Sequence, residues 1–273
     1  MICFPNAKIN LGLNIIEKRP DGFHNLETIF YPIPLSDVLE ILPCEVINGR
    51  KVSLEILGMD IPGSVESNLC VKVYHLLDND FNLPPVKIIL QKITPMGAGL
   101  GGGSSDGAFT LVLLNKMFNL NLTDEQLCQY ASRVGSDCAF FVLNRPALGT
   151  GRGEVLSPVS LDLKGYYIVL VKPDIFVSTA EAFAGIRPVK PAIPVNDIVS
   201  KPVAQWKDLL VNDFESSIFE KHSGIKQVKD TLYANGAIYA SMSGSGSSVY
   251  GVFDSEKSLK DKFPGCFYWG GWL

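Results

Sequence analysis

No Cys-x-x-Cys pair occurs in the chain, and its six cysteines, Cys3, Cys44, Cys70, Cys128, Cys138 and Cys266, are scattered. In 273 residues that scatter excludes a disulfide framework and a cysteine zinc site, so the thiols are expected to be reduced and mostly buried. Histidine is scarcer still. His24, His75 and His222 stand too far apart for ligand spacing, and no metal site made of protein groups alone is visible. Long apolar runs are missing too. The longest candidates, such as residues 166–171, are strand-sized and leave no membrane span. The opening Met1-Ile2-Cys3-Phe4-Pro5-Asn6 lacks the basic and apolar regions of a secretory leader. Positive charge is not in excess: 24 Lys plus Arg against 28 Asp plus Glu give −4, the opposite of a nucleic-acid-binding footprint. These absences point to a soluble cytoplasmic protein with no nucleic-acid, membrane or obligatory protein partner in evidence. Its 47% apolar content suffices for one large or two ordinary domains.

What the chain does have is glycine, concentrated in Pro95-Met96-Gly97-Ala98-Gly99-Leu100-Gly101-Gly102-Gly103-Ser104-Ser105-Asp106. Glycine loses the most backbone freedom on folding, so such a run is kept where backbone must approach something closely. Residues 86–93 before it alternate as a strand does. Residues 105–118 after it read as a helix, with Ala108, Leu111, Val112 and Asn115 on one face. A strand, a glycine loop and a helix N-terminus form a phosphate-binding arrangement, because free N–H groups and the positive end of the helix dipole converge there.

Residues 6–16 form the cleanest strand. Ala7, Ile9, Leu11, Leu13 and Ile15 are apolar and alternate with Asn6, Lys8, Asn10, Gly12 and Asn14. A wet outer face would carry Thr, Lys or Glu, whereas asparagine and glycine are poor strand formers, so the polar side reads as a binding face around Lys8. Arg19-Pro20-Asp21-Gly22 is a tight turn leading to Phe23-His24, which is either a stacking pair for a ring or a hydrophobic plug. Strands are expected at 26–33, 37–42 and 51–57, a loop at 58–66, and a helix to about Leu77 capped by Ser67 or Asn68 with Leu69, Val73, Leu76 and Leu77 inside. Thr123-Asp124-Glu125-Gln126 is a capping box for a helix ending near Gly135. Asp137, heading a buried run, is either a helix cap or turn-former, or a carboxylate held at the edge of a core.

Gly149-Thr150-Gly151-Arg152-Gly153 is a second break, and the domain boundary is placed there, giving domains 1–152 and 153–273. A strand at 166–171 follows, then a short helix at 179–184 capped by Ser178 and bearing Phe183. Residues 188–202 hold four prolines and read as an exposed irregular connector. Helices are expected at 205–221 and 224–234, strands at 237–240 and 249–253, and a closing helix and strand at 255–263 and 266–272. Between the strands, Ser243-Gly244-Ser245-Gly246-Ser247-Ser248 is either a plain turn or a second backbone cradle for phosphate.

The common nucleotide signatures do not fit. Gly97-x-Gly99-x-x-Gly102 matches a dinucleotide fingerprint as a bare string, but Asp124, at the right distance, sits in a helix cap and not at a strand end. No lysine follows the glycines as Walker A requires, and no Asp-Phe-Gly follows as in protein kinases. Pro5-Asn6-Ala7-Lys8-Ile9-Asn10-Leu11, the glycine loop and Ser243-Gly244-Ser245-Gly246 do resemble, in order and separation, the motifs of the GHMP kinase superfamily. Pro20-Asp21-Gly22-Phe23-His24, Gly135-Ser136-Asp137 and Val211-Asn212-Asp213-Phe214-Glu215 are similar to the branch of it that acts on a cytidine-diphosphate-linked sugar alcohol.

The resemblance implies an α+β, two-domain GHMP kinase fold, with an N-terminal mixed α/β nucleotide-binding domain, a C-terminal ferredoxin-like domain and a cleft between them. It implies transfer of the ATP γ-phosphoryl to a tertiary hydroxyl, with Mg²⁺ bridging the β- and γ-oxygens and held mainly by phosphate and water. Ser104, Ser105 and Asp106 are the protein groups near enough to reach that ion, although Asp106 equally suits the helix dipole. Residues 95–105, with Ser243 and Gly244, would bind ATP. Asp137 would take or orient the hydroxyl proton, Lys8 would stabilise the alkoxide and fix Asp137, and Asn10 would position the substrate. The cytosine would lie between Phe23 and Phe183, with His24 reading its polar edge. The sequence departs from the branch at Phe23, where tyrosine is usual, and at Gly107, which replaces an alanine at a cost of ~1 kcal/mol in helix propensity. Another GHMP small-molecule kinase and a non-catalytic nucleotide-binding module are the alternatives.

Overall fold

The computed structural model describes residues 1–46 and 49–273. In chain order the elements are β1 (Ile2–Cys3), β2 (Asn6–Lys18), β3 (His24–Ser36), β4 (Val38–Pro43), β5 (Val52–Gly58), α1 (Leu69–Phe81), β6 (Val86–Lys92), α2 (Gly102–Met117), α3 (Asp124–Val134), α4 (Cys138–Leu143), β7 (Ala147–Thr150), β8 (Val155–Pro158), β9 (Tyr167–Lys172), α5 (Thr179–Ala184), α6 (Val195–Val199), α7 (Phe214–Lys221), α8 (Ser223–Ala234), β10 (Tyr239–Met242), β11 (Val249–Phe253) and β12 (Phe267–Trp272).

Contacts divide the chain into two compact units. The first is residues 1–7, 35–96 and 101–145; the second is residues 8–34, 97–100 and 146–273. The expected boundary at residue 152 divides the chain once, whereas packing groups residues 8–34 with the C-terminal half. β3 pairs with β7 through Thr28 opposite Gly149, and Leu13 and Ile15 share a core with Val169, Phe214, Ile218 and Val249.

The first unit is a sheet in the order β1-β4-β6-β5 with helices packed on it. β6 runs antiparallel to β4 and parallel to β5. Strand residues Leu39, Ile41, Ile88 and Leu90 and helix residues Val71, Tyr74, Leu77, Leu111 and Leu114 are buried. Asn68 caps α1 by accepting from Cys70 N, and the Thr123–Gln126 capping box of α3 is complete. The second unit holds the sheet β2-β3-β7-β8 and the antiparallel sheet β10-β11-β9-β12, with α8 packed on β10 and β11. Together the units are an α+β fold.

Several elements differ from expectation, each for a physical reason. Helix α1 continues to Phe81, burying Cys70, Val71 and Tyr74, while Leu69 and Leu76 are only half-buried. Helix α2 starts at Gly102, inside the glycine run, and Val112 is exposed while Ser105, Asp106 and Thr110 are buried. The proline-rich stretch contains α6, whose Val195, Ile198 and Val199 are buried and whose first N–H, Val195 N, donates to Glu27 Oε1 at 2.6 Å. Residues 206–213 are not helical. Leu13 N donates to Val211 O and Asp213 N to Leu13 O, so this stretch pairs with β2 and α7 begins only at Phe214. Near the end, only a 3-10 turn at Lys260–Lys262 forms where a helix was expected.

All six cysteines are free; Cys70 and Cys138 are buried, and the other four are half-buried. Burial pushes the Cys3 and Cys138 thiols up to about 11, which keeps them protonated and unreactive. Each histidine has its own neighbour: Glu66 for His75, Glu181 for His222 and Phe183 for His24.

Candidate active site

In the second unit, β2 presents its polar residues to the centre of the site. Lys8, Asn10 and Asn14 are buried like the apolar residues alternating with them, so neither face of the strand is wet. Lys8 N donates to Leu100 O at 3.0 Å, which lays the strand against the glycine loop. Lys8 Nζ donates to Asn10 Oδ1 at 2.6 Å and to Gly99 O at 3.0 Å, and it lies 5.2 Å from the centre of the Phe30 ring. Asn10 Nδ2 donates to Thr28 Oγ1 at 3.0 Å, and Tyr250 Oη donates to Asn10 O at 2.8 Å.

The Ser243–Ser248 loop meets the same carbonyl. Ser243 Oγ donates to Gly99 O at 2.8 Å and accepts from Asn10 N at 3.2 Å, while Ser248 N donates to Ala98 O at 3.4 Å. The loop is thus bonded to the glycine loop at both its ends. Gly99 has φ +73°, and a Cβ there would collide with the Ser243 carbonyl, so no other residue fits. The Gly97 backbone lies under the exposed ring of Phe176, which the sequence did not single out.

Farther along β3 lie the candidate substrate residues. The Pro20-Asp21-Gly22 turn forms as expected, with Gly22 N donating to Arg19 O and Phe23 half exposed. His24 stacks on Phe183 with ring centres 4.9 Å apart and planes at 23°. His24 thus offers its face to Phe183, where the sequence reading had it offer an edge to a ring between Phe23 and Phe183. Phe23 carries the Arg152 guanidinium 4.9 Å from its ring centre. Arg152 was read only as part of a loose glycine break; Leu26 N, bonded to Gly151 O, brings that break beside β3.

The other half of the glycine run, from Gly101, lies in the first unit. Gly101 caps α2, and having no side chain it leaves the first-turn N–H groups of Gly102, Gly103 and Ser104 unsatisfied, as an anion requires. Beneath them, Lys92 Nζ bonds Asp37 Oδ2 at 2.5 Å and Asp106 Oδ2 at 2.6 Å, and Asp37 Oδ1 accepts from Ile93 N and Thr94 N. This cluster joins the end of β6 to the start of α2, the two stems of the loop. Burial pushes the Asp106 carboxyl up to about 7 against the pull of the Lys92 ammonium. Burial also works to lower Lys92, but Asp106 and Asp37 outweigh it and hold Lys92 above its ordinary value.

A cavity of ≈ 200 Å³ opens beside this stem. It is walled by Ile56, Ile61, Pro62, Val65 and Leu69 and closed by Met96, Gly103 and Asp106. The sequence reading passed over its walls as loop 58–66. Asp137 stands at the head of α4 in the N-cap position but makes no side-chain cap bond, so the capping role weighed for it is not the one it plays. Among the described residues no group of three or more His, Cys, Asp or Glu is arranged to hold a metal.

Comparison with known proteins gives the family of the chain. The family model for the GHMP kinases N terminal domain matches residues 68–145, and that for the GHMP kinases C terminal matches residues 198–264. Fold and motif segments together therefore define a GHMP kinase. A 4-diphosphocytidyl-2-C-methyl-D-erythritol kinase of Bacteroides fragilis is 56% identical over 261 residues, covering 95% of this chain and 94% of the relative. One of Parabacteroides distasonis is 48% identical over 275 residues, covering 100% of each. The crystal structure of a 4-(cytidine 5'-diphospho)-2C-methyl-D-erythritol kinase superposes with a TM-score of 0.83 at 29% identity, covering 99% of this chain and 98% of that one. The chain belongs to the 4-diphosphocytidyl-2-C-methyl-D-erythritol kinase family.

Proposed function

We propose that the protein transfers the γ-phosphoryl of ATP to the 2-hydroxyl of 4-diphosphocytidyl-2-C-methyl-D-erythritol, a step in the non-mevalonate route to isoprenoid precursors. The observation that carries this reading is that three segments far apart in the chain meet at one atom: Lys8 Nζ and Ser243 Oγ both donate to Gly99 O. Full-length identity with kinases of that name selects the substrate.

Phosphoryl transfer asks a protein for alignment and charge neutralisation more than covalent chemistry. Main-chain N–H groups along residues 97–105 cradle the phosphates, with Pro95, Met96 and Ser243–Gly244 shaping the cradle. The cavity takes the adenine: Ile61, Leu69 and Met96 suit the flat ring, and Ser64, Ser67 and Asn68 its polar edge. The substrate oxygen forms its bond to the γ-phosphorus as the bond to the β-bridging oxygen breaks. The hydroxyl proton passes to Asp137, Lys8 stabilises the alkoxide, and Asn10 orients the alcohol. Mg²⁺ bound with the nucleotide would supply charge neutralisation at the phosphates. Asp106 gives Oδ2 to Lys92 and keeps Oδ1 without a partner, so it would offer that ion one oxygen, phosphate and water supplying the rest. At the other end of the substrate, the cytosine stacks between Phe23 and Phe183, displacing the His24 ring, whose nitrogens then face the base. With its six cysteines free, the chain suits a reducing compartment, and we place the enzyme in the cytoplasm.

Incubation with Mg-ATP and the diphosphocytidyl alcohol, followed by phosphorus NMR, should show a new phosphomonoester appearing with ADP. Lys8→Ala and Asp137→Ala should each lower kcat by roughly 100-fold or more with nucleotide affinity little changed. Normal turnover by either variant would remove the role given to that residue.

A further inference from the structure

Asn212 stands in the segment 211–215, none of whose residues has been given a role in the site above. Its backbone is fixed on both sides: Val211 O accepts from Leu13 N at 2.8 Å, and Asp213 N donates to Leu13 O at 2.8 Å. Its side chain is 3% exposed and uses both amide hydrogens. Nδ2 donates to Met242 O and to Gly244 O, each at 2.8 Å, and Oδ1 accepts from Phe214 N at 3.0 Å. The amide orientation is fixed by this pattern, since two carbonyls need donors and one N–H needs an acceptor.

Met242 and Gly244 flank Ser243. Asn212 therefore grips the turn on either side of the residue whose hydroxyl donates to Gly99 O, the carbonyl that also receives Lys8 Nζ. Gly244, at φ +56°, adopts the left-handed turn that glycine takes without strain. Aspartate at this position offers no donor, serine offers one, and glutamine is a methylene too long. Asparagine alone supplies two donors and an acceptor at this reach.

We propose that Asn212 is a positioning residue for phosphoryl transfer, acting through the Ser243 turn to hold the Gly99 carbonyl and the Lys8 ammonium in register. The proposal rests on the reading of Ser243 and Lys8 as parts of the ATP and transfer site. In structural terms, Asn212 ties β2 to the loop that bounds the glycine run, so an error of a fraction of an ångström there moves the donor set.

The test compares Asn212→Asp, Ser243→Ala and the double variant for kcat, KM for ATP and thermal stability. Asn212→Asp should lower kcat/KM for ATP about 10- to 100-fold, with kcat falling as well as KM rising, because the turn loses both anchors. The double variant should be no worse than Ser243→Ala alone, since both act through one turn. Asn212→Ser, with one hydroxyl proton for two carbonyls, is a milder form of the same test should the aspartate variant not fold, and should give an intermediate loss. Multiplicative effects in the double variant, or a fall in Tm with kcat and KM intact, would make Asn212 merely structural. Ser243→Ala read alone separates the two layers of the reasoning. If it leaves both constants at wild type, the site assignment falls and this inference with it; if it lowers them and the Asn212 variants do not, only this inference falls.

Discussion

Asp106 carries two opposed influences, an ammonium 2.6 Å away that favours its charge and burial that opposes it. Burial prevails and the carboxyl rises to about 7, while its Oδ1 has no hydrogen-bond partner. The sign of the consequence follows. A carboxyl whose folded pKa exceeds its unfolded value contributes stability below the unfolded pKa and loses it as pH rises through the folded one. Wild-type protein should therefore lose stability from this group between about pH 4 and pH 7. Asp106→Asn, which cannot ionise, should gain in Tm relative to wild type across that interval, as measured by thermal melts at successive pH values. A constant difference between the two proteins from pH 4 to pH 7 would contradict the raised carboxyl. This residue was legible from sequence only as a polar position at a helix start. Its burial depends on Lys92 and Asp37, and nothing in the local pattern pairs residues so far apart.

Among the elements, those with local signals were readable and those set by distant partners were not. The α3 capping box, the Ser178 cap of α5 and the β2 alternation need only their own residues, and all formed as read. Helix α2 could be seen but not its start, because glycine is a poor helix former and only the loop geometry makes Gly102 helical. Gly107 looked like a simple propensity cost. In the structure a Cβ there would stand 3.0 Å from Leu69 Cβ at the start of α1, so close helix packing explains it. The stretch at 206–213 was read as helix because its apolar spacing allows one. Asn212 and Asp213 instead bond backbone outside a helix, as short polar side chains do. The site showed the same split: the loop and strand motifs were legible, while Arg152 on Phe23 and the adenine-sized cavity arise only from folding. Helix α6 gives a test of one such distant bond. Glu27→Ala removes the acceptor of Val195 N, and should cost about 1 kcal/mol, lowering Tm by a few degrees. Limited thermolysin digestion should then cut faster before Ile198 or Val199 within α6. An unchanged cleavage rate would mean that α6 does not depend on this bond.

For the molecule as a whole, ligand linkage offers the simplest check on the substrate class. Cytidine diphosphate binding only to folded protein should stabilise it by about 2.7 kcal/mol at a hundred times its Kd. That is a rise of several degrees in Tm, and uridine diphosphate should give less if His24 reads the base edge. Stabilisation by ADP with none by cytidine diphosphate would turn the assignment toward another GHMP kinase.

The interleaving of the two units along the chain has a consequence for synthesis. Every residue of the first unit has been made once the ribosome passes Arg145, whereas Leu13 and Ile15 share their core with Val249 and Phe253. At roughly 5–20 residues per second, those early strands wait on the order of ten to fifty seconds for their partners. Nascent β2 and β3 thus leave the exit tunnel as apolar strands without cover and are natural clients for ribosome-bound chaperones until the final strands emerge.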